Sequence, residues 1–318
     1  DVDWEGYLEE LCFNVLAADR TGEPAVVLRD VELTEDMHGE FDILGLGLPK
    51  RHPAILFGDG GSAKSLLSLH VACELAHAGE VVMYCDWEAT GQDHKIRLDQ
   101  LYPANAPNVL YVRCERPLTV EADRLRALVS EFGVTYTVMD SAAFGCAGAP
   151  ESAESALDYF RALRSLGKIG NLLIAHVTKS EEGNKRPFGS GFWHNSARAT
   201  WHIERETPEE SDGPVVGISI TPRKCNFGKL KPAITLAITF GETVQIIRSS
   251  VLAFPGLAAK APIGQRVYAT LSRHPMTRDK IRAEFDDSAW DTVKHVLNRG
   301  LKSGKLIEFP NDTIGFKP

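Results

Sequence analysis

The stretch GDGGSAKS, residues 58–65, constrains this 318-residue chain more than any other. It follows the apolar run PAILF and precedes LLSLHVACELAHAG, whose apolar residues recur at helical spacing and end on a glycine. A strand that runs into a glycine-rich turn and then a helix makes an anion nest. Its amides point inward and the helix dipole adds partial positive charge. The spacing is that of a phosphate-binding loop, except that Ala63 stands where glycine is usual. One methyl group is the smallest departure possible, and Gly58, Gly60 and Gly61 leave the loop its freedom. Gly58, Asp59, Gly60, Gly61, Ser62, Ala63, Lys64, Ser65 and Leu66 are thus the candidate nucleotide-binding residues. Lys64 is expected to reach the β- and γ-phosphates, and Ser65 to ligate Mg²⁺.

Three later strand ends complete a candidate site. YTVMDSAAF places Asp140 after apolar residues, as a second oxygen for the Mg²⁺ shell. VVMYCDWEAT, the strand after the loop's helix, ends in Asp86 and Glu88. A carboxylate there is placed to orient or deprotonate the attacking water, and Glu88 is the candidate. NLLIAHVTKS ends its strand in His176, which reads equally as a γ-phosphate sensor or as a hydrogen-bonded bystander.

Strands alternating with helices from Pro53 to Lys179 predict a mostly parallel sheet with helices on both faces. Beyond Thr200, ATWHIERE, VVGISITPRK, PAITLAITF and TVQIIRS follow one another without helices and predict an antiparallel edge to that sheet. The first 50 residues show strand-like runs (PAVVLRDVEL) and an acidic loop. AFPGLAAKAPIG has linker composition. Three helices and a short hairpin after it resemble a winged helix. The expected organisation is therefore a lead-in of residues 1–50, an α/β core of 51–250, a linker of 251–261 and a small domain of 262–318.

Bulk composition excludes several classes. No uninterrupted run of about 18 apolar residues is present, so no membrane span is expected. The six cysteines form no C-x-x-C pair and mostly sit in apolar stretches, as buried free thiols of a cytoplasmic protein do. Net charge is −8, against a generally basic nucleic-acid binder. From Lys260 to Pro318, however, eleven Lys and Arg face seven Asp and Glu, a basic tail on an acidic body. The chain opens on DVDWEG without methionine, as expected of a piece cut from a longer protein.

The order phosphate loop, Glu88, Asp140, His176 resembles the RecA-like ATPases and, within them, the RepA-like hexameric replicative helicases. FGDGGSAKS is similar to that group's loop, GSGFWHNSARATW to the stretch after its sensor strand, and TPRKCNFGK to a later strand end carrying Lys224, Asn226 and Gly228. The resemblance covers about residues 40–248. It implies ATP and Mg²⁺, a homo-oligomeric ring, and an active site shared between subunits, one of which inserts a cationic finger. Arg198 is the first candidate, with Lys224 and Arg223 behind it. Many such helicases carry Lys-x-Arg where this chain has Lys224 and Asn226.

Nucleic-acid contacts are expected in two places. The loop after His176 carries Lys179, Lys185 and Arg186 with Phe188, Phe192 and Trp193, and cations interleaved with aromatics suit a single strand. A packed surface loop is the competing reading. In the tail, Lys294, Arg299 and Lys302 lie within reach of one duplex backbone, although winged helices also dock replication proteins. The function expected from sequence is a DNA helicase or translocase of replication. The alternatives are a filament-forming recombinase or loader and an ATP-gated DNA-binding regulator.

Overall fold

Apolar alternation explains most of the architecture. The structure, a computed structural model, describes residues 2–21, 25–32, 39–177, 186–207 and 213–317. It comprises two units, residues 1–38 and 39–318. The first holds helix α1 (Trp4–Thr21) and a 3₁₀ turn at Leu28–Asp30. Trp4, Tyr7, Leu8, Leu11 and Val15 recur at three- and four-residue steps along α1, and all are exposed. The strand expected at PAVVLRDVEL does not form; no ladder partner pairs with it among the described residues, and an extended segment needs one.

The second unit opens with the hairpin β1 (Glu40–Ile43) and β2 (Leu46–Pro49). Leu44 and Gly45 both take positive φ, 55° and 89°, the backbone of a two-residue hairpin turn. Leu46 and Leu48 are buried in the main core, so the hairpin belongs to the body. Then follow β3 (Pro53–Gly58), α2 (Lys64–His77), β4 (Val82–Asp86), α3 (Gly91–Leu101), β5 (Val109–Arg113) and α4 (Leu118–Phe132). After them come β6 (Tyr136–Asp140), α5 (Ala153–Ser165), β7 (Gly170–His176), α6 (Gly191–Ser196) and β8 (Ala199–Arg205). The strands β9 (Val215–Cys225), β10 (Ile234–Thr239) and β11 (Gln245–Ser249) complete a nine-stranded sheet of order β11-β10-β9-β8-β3-β7-β6-β4-β5.

From β8 to β5 every pairing is parallel, and β9 to β11 form the antiparallel edge. ATWHIERE, grouped on sequence with that edge, is thus the last parallel strand. Alternate residues enter opposite cores. Leu56, Val82 and Tyr84 face one, and Ile55, Phe57, Met83 and Cys85 the other. Both faces being apolar is what a helix-covered sheet requires. Sequence reading does not predict α3, whose inner face is His94, Leu98 and Leu101, with only His94 fully buried.

The segment of linker composition is not a spacer. It holds α7 (Pro255–Lys260), and Phe254 and Leu257 close on Gly217, where an added Cβ would stand 2.5 Å from the Phe254 ring. The chain ends in α8 (Ile263–Leu271), β12 (Met276–Thr277), α9 (Arg278–Ala283), α10 (Trp290–Lys302), β13 (Leu306–Glu308) and β14 (Thr313–Phe316). Val267, Ile281, Val293, Leu297 and Ile314 give this part its own core. No helix among the described residues is long and apolar enough to cross a membrane. Cys73, Cys85, Cys114 and Cys146 are buried thiols, but Cys12 is exposed on α1 and Cys225 half-buried.

Candidate functional site

Parallel register gathers the site at one end of the sheet. Gly58 pairs with His176 on one side and Ile203 on the other, and Asp86 pairs with Asp140. The loop after β3, the acids after β4 and β6, and His176 therefore rise from the same edge, where open α/β sheets bind their ligands. Gly58 is required by close approach, since a Cβ there would meet the Ile203 carbonyl oxygen at 2.3 Å.

The loop closes on itself through Lys64. Its ammonium donates to the carbonyls of Gly58 (3.0 Å) and Asp59 (2.7 Å). Ser62 Oγ donates to the Asp59 carbonyl at 2.7 Å, and Arg205 to that of Gly61 at 3.2 Å. Burial pulls the Lys64 pKa below the ordinary lysine value, while Asp140, Glu88 and Asp59 work against that shift. Ala63 takes φ 64° and ψ 22°, a left-handed backbone. Its position is thus one that favours glycine, and the methyl group is carried there at a cost of roughly 1–2 kcal/mol.

Asp140 is almost fully buried. It accepts from the Tyr84 hydroxyl at 2.7 Å and from Ser65. Burial pushes its carboxyl up, against those two hydrogen bonds, and Glu88 and Asp86 add repulsion. Ser65 and Asp140 thus share one polar contact beneath the loop, a donor set that fits a magnesium ion completed by water and phosphate oxygens. Among the described residues no group of three His, Cys, Asp or Glu forms a stand-alone metal cluster.

Glu88 accepts a hydrogen bond from Ser141 Oγ. It is aimed by the buried Asp86, whose Oδ1 takes the amides of Glu88 (2.9 Å) and Ala89 (3.1 Å). Asp86 Oδ2 meets His94 Nε2 at 3.2 Å and the Tyr111 hydroxyl at 3.0 Å. Thr90 and Asp93 then cap α3 reciprocally.

These groups line a cavity of about 490 Å³, ample for a nucleotide. Gly60, Gly61, Lys64, Ser65, Glu88 and Asp140 face it, as do Ser141, His176 and Leu66. Sequence reading missed seven of its lining residues, Ser141, Ile174 and Val244 besides Arg97, Gln100, Arg205 and Phe240. Arg97 Nη1 is buried without a partner, an orphaned cationic donor beside a candidate phosphate site. Its only signal was a position nine residues after Glu88, on a helix that periodicity does not reveal. Arg205 was legible as the cation ending β8.

The remaining predicted residues lie elsewhere. Arg198 pairs through its backbone amide with Pro53 at 2.8 Å. That is the opposite end of β3 from the loop, about 16 Å away along five strand residues, so Arg198 does not serve its own subunit's loop. Lys224 donates to the carbonyls of His194 (3.0 Å) and Asn195 (2.8 Å), closing the end of α6. Arg223 Nε is buried without a partner.

Trp193 is a correction. It is 2 % exposed, packs on Tyr159 and Phe160, and donates from its indole nitrogen to Pro150 at 2.9 Å. A ring held this way stacks on no base. Phe188 and Phe192 remain exposed, as does Arg186; Lys179 and Lys185 lie outside the described residues. On α10, Lys294 pairs with Asp291 at 2.7 Å, while Arg299 and Lys302 face solvent.

Fold and site together place a glycine-rich loop, a lysine and two carboxylates around one cavity at the end of a mostly parallel α/β sheet, an architecture consistent with a RecA-like core. No protein-family model matches the chain. Parts of it are similar to the DNA repair protein RadA: 27% identity over 145 residues with that of Bacillus subtilis, covering 44% of this chain and 31% of the relative. With RadA of Campylobacter jejuni the identity is 28% over 166 residues, 49% of this chain and 36% of the relative. With that of Streptococcus pyogenes it is 25% over 190 residues, 55% and 41%. This partial likeness supports the RecA-like superfamily. The chain spans between about a third and two-fifths of the length of these relatives.

Proposed function

We propose that the chain is a Mg²⁺-dependent ATPase whose hydrolysis drives work on DNA, in recombination or repair. The observation that carries this is the convergence of Lys64, Ser65, Asp140 and Glu88 on one cavity. When bound, the magnesium ion would supply charge neutralisation on the β- and γ-phosphates. Ser65 and Asp140 would hold it. Lys64 exchanges its loop carbonyls for phosphate oxygens, Glu88 orients the attacking water, and Arg97 and His176 report whether the γ-phosphate is present. Arg198, at the far end of β3 from its own loop, is the candidate finger toward a neighbouring copy, with Lys224 and Arg223 behind it.

Likeness to DNA repair proteins favours a recombination or repair ATPase over a replicative helicase of the RepA-like type. The DNA track would run past Arg186, Phe188 and Phe192, together with Lys179 and Lys185. The terminal module, read as a winged helix, would add duplex or protein contacts through Lys294, Arg299 and Lys302. ATP turnover measured with and without single-stranded DNA tests the reading; turnover that no DNA stimulates overturns it. Electron microscopy with an ATP analogue and DNA separates a hexameric ring from an open filament.

A further inference from the structure

A second cavity, of about 640 Å³, lies where β9, β10 and β11 meet α8 and Lys305. No residue of the phosphate loop lines it. Three features set its chemistry. First, its walls carry Lys231, Arg248 and Lys305 but no aspartate or glutamate, in a chain of net charge −8. Lys231 is bound to Glu40 at 2.5 Å. Lys305 Nζ lies 4.0 Å from the centre of the Tyr268 ring. Lys305 has no acidic partner among the described residues, whereas the Arg248 guanidinium lies over Gly45 of the β1–β2 turn, on the face of the sheet opposite Thr235. Second, α8 starts at the cavity from Pro262 with no side-chain cap, leaving amides of its first turn open. Third, two polar side chains of the lining are unsatisfied. Thr235 is 3 % exposed and its hydroxyl has no partner; Gln265 Oε1 is likewise buried and unpaired. Buried polar groups normally find partners, and such orphans mark a missing one.

We propose that this cavity binds a small organic phosphomonoester. Lys305 and the opening amides of α8 hold the phosphate, whose three terminal oxygens and near-double charge match several donors around one anion. The polar body satisfies Thr235 and Gln265. Its volume is that of a small-molecule site. Because strands of the core form one wall and α8 another, occupancy fastens the terminal module to the sheet edge. None of this depends on whether the phosphate loop hydrolyses ATP.

The test uses the full chain with its phosphate loop saturated by a non-hydrolysable ATP analogue, titrated calorimetrically with AMP, ribose 5-phosphate and adenosine. The two phosphomonoesters bind at one saturable site and adenosine does not. The Lys305→Gln variant loses at least tenfold in affinity, with ATP turnover in the absence of AMP unchanged. Thr235→Val weakens AMP severalfold yet raises the melting temperature of the ligand-free chain, since it deletes an unpaired hydroxyl; a merely structural threonine would not divide in this way. If Lys305→Gln fails to fold, Thr235→Val decides alone. Failure of both phosphomonoesters to bind, affinity unchanged in the variants, or loss confined to single-stranded oligonucleotide binding each overturns the proposal.

Discussion

The hydroxyl of Ser141 donates to the carboxylate of Glu88, linking the residue after Asp140, the candidate metal ligand, to the candidate water-positioning acid beyond the neighbouring strand end. Glu88→Gln keeps the shape but not the charge. Nucleotide binding should persist while turnover falls at least tenfold. Ser141→Ala should lower kcat more than it raises KM. Steady-state kinetics beside equilibrium nucleotide binding check both.

Ala63 carries a methyl group in left-handed backbone. Ala63→Gly relieves that strain and should raise stability by about 0.5–1 kcal/mol. Ala63→Val adds β-branching at the same φ, so it should lower stability by about 1–2 kcal/mol and weaken ATP binding. Urea midpoints and ATP dissociation constants of the three proteins give the answer.

Tyr84 is fully buried between Ser68 Oγ at 2.8 Å and Asp140 Oδ2 at 2.7 Å. Tyr84→Phe leaves both oxygens short of a partner, which should cost about 1–3 kcal/mol. Asp140, robbed of a donor, should also bind the cation less well. The Mg²⁺ concentration for half-maximal hydrolysis is expected to rise.

Burial opposes ionisation of Asp86, yet the hydrogen bonds from His94, Ala89 and Glu88 outweigh it and hold the carboxyl at about 2, below its ordinary 3.8. A depressed folded-state pKa contributes stability that is present above the unfolded value and lost as pH falls through the folded one. The chain should therefore lose about 2 kcal/mol between pH 4 and pH 2 through this residue. Asp86→Asn should remove that part of the slope in acid-unfolding curves.

Arg198 lies at the far end of β3 from its own loop. If it completes a neighbour's site, Arg198→Ala and Glu88→Gln are each inactive alone. Mixed in equal amounts they should regain activity, with about a quarter of head-to-tail interfaces intact. A mixture as inactive as its parts rejects the shared site.

Local pattern was enough for the phosphate loop, the strand ends carrying Glu88, Asp140 and His176, and the alternation of strands with helices. Each of these depends on residues adjacent in the chain, where turn chemistry and apolar period act directly. Arg97, by contrast, sits on a helix whose inner face is only His94, Leu98 and Leu101, with the two leucines half-buried, too short an apolar stripe to announce it. Trp193 reads like a stacking platform only until Tyr159 and Phe160, more than 30 residues away in sequence, close around it. The partnerless Thr235 and Gln265 become visible only when β10 and α8 are brought together. The sequence by itself determined which groups could bind a triphosphate and the order in which they follow one another. Tertiary structure alone decided which of them share a cavity, which side chains are withdrawn into the core, and which polar atoms lack a partner. Those outcomes depend on contacts between distant segments, and chain-local propensity carries no information about them.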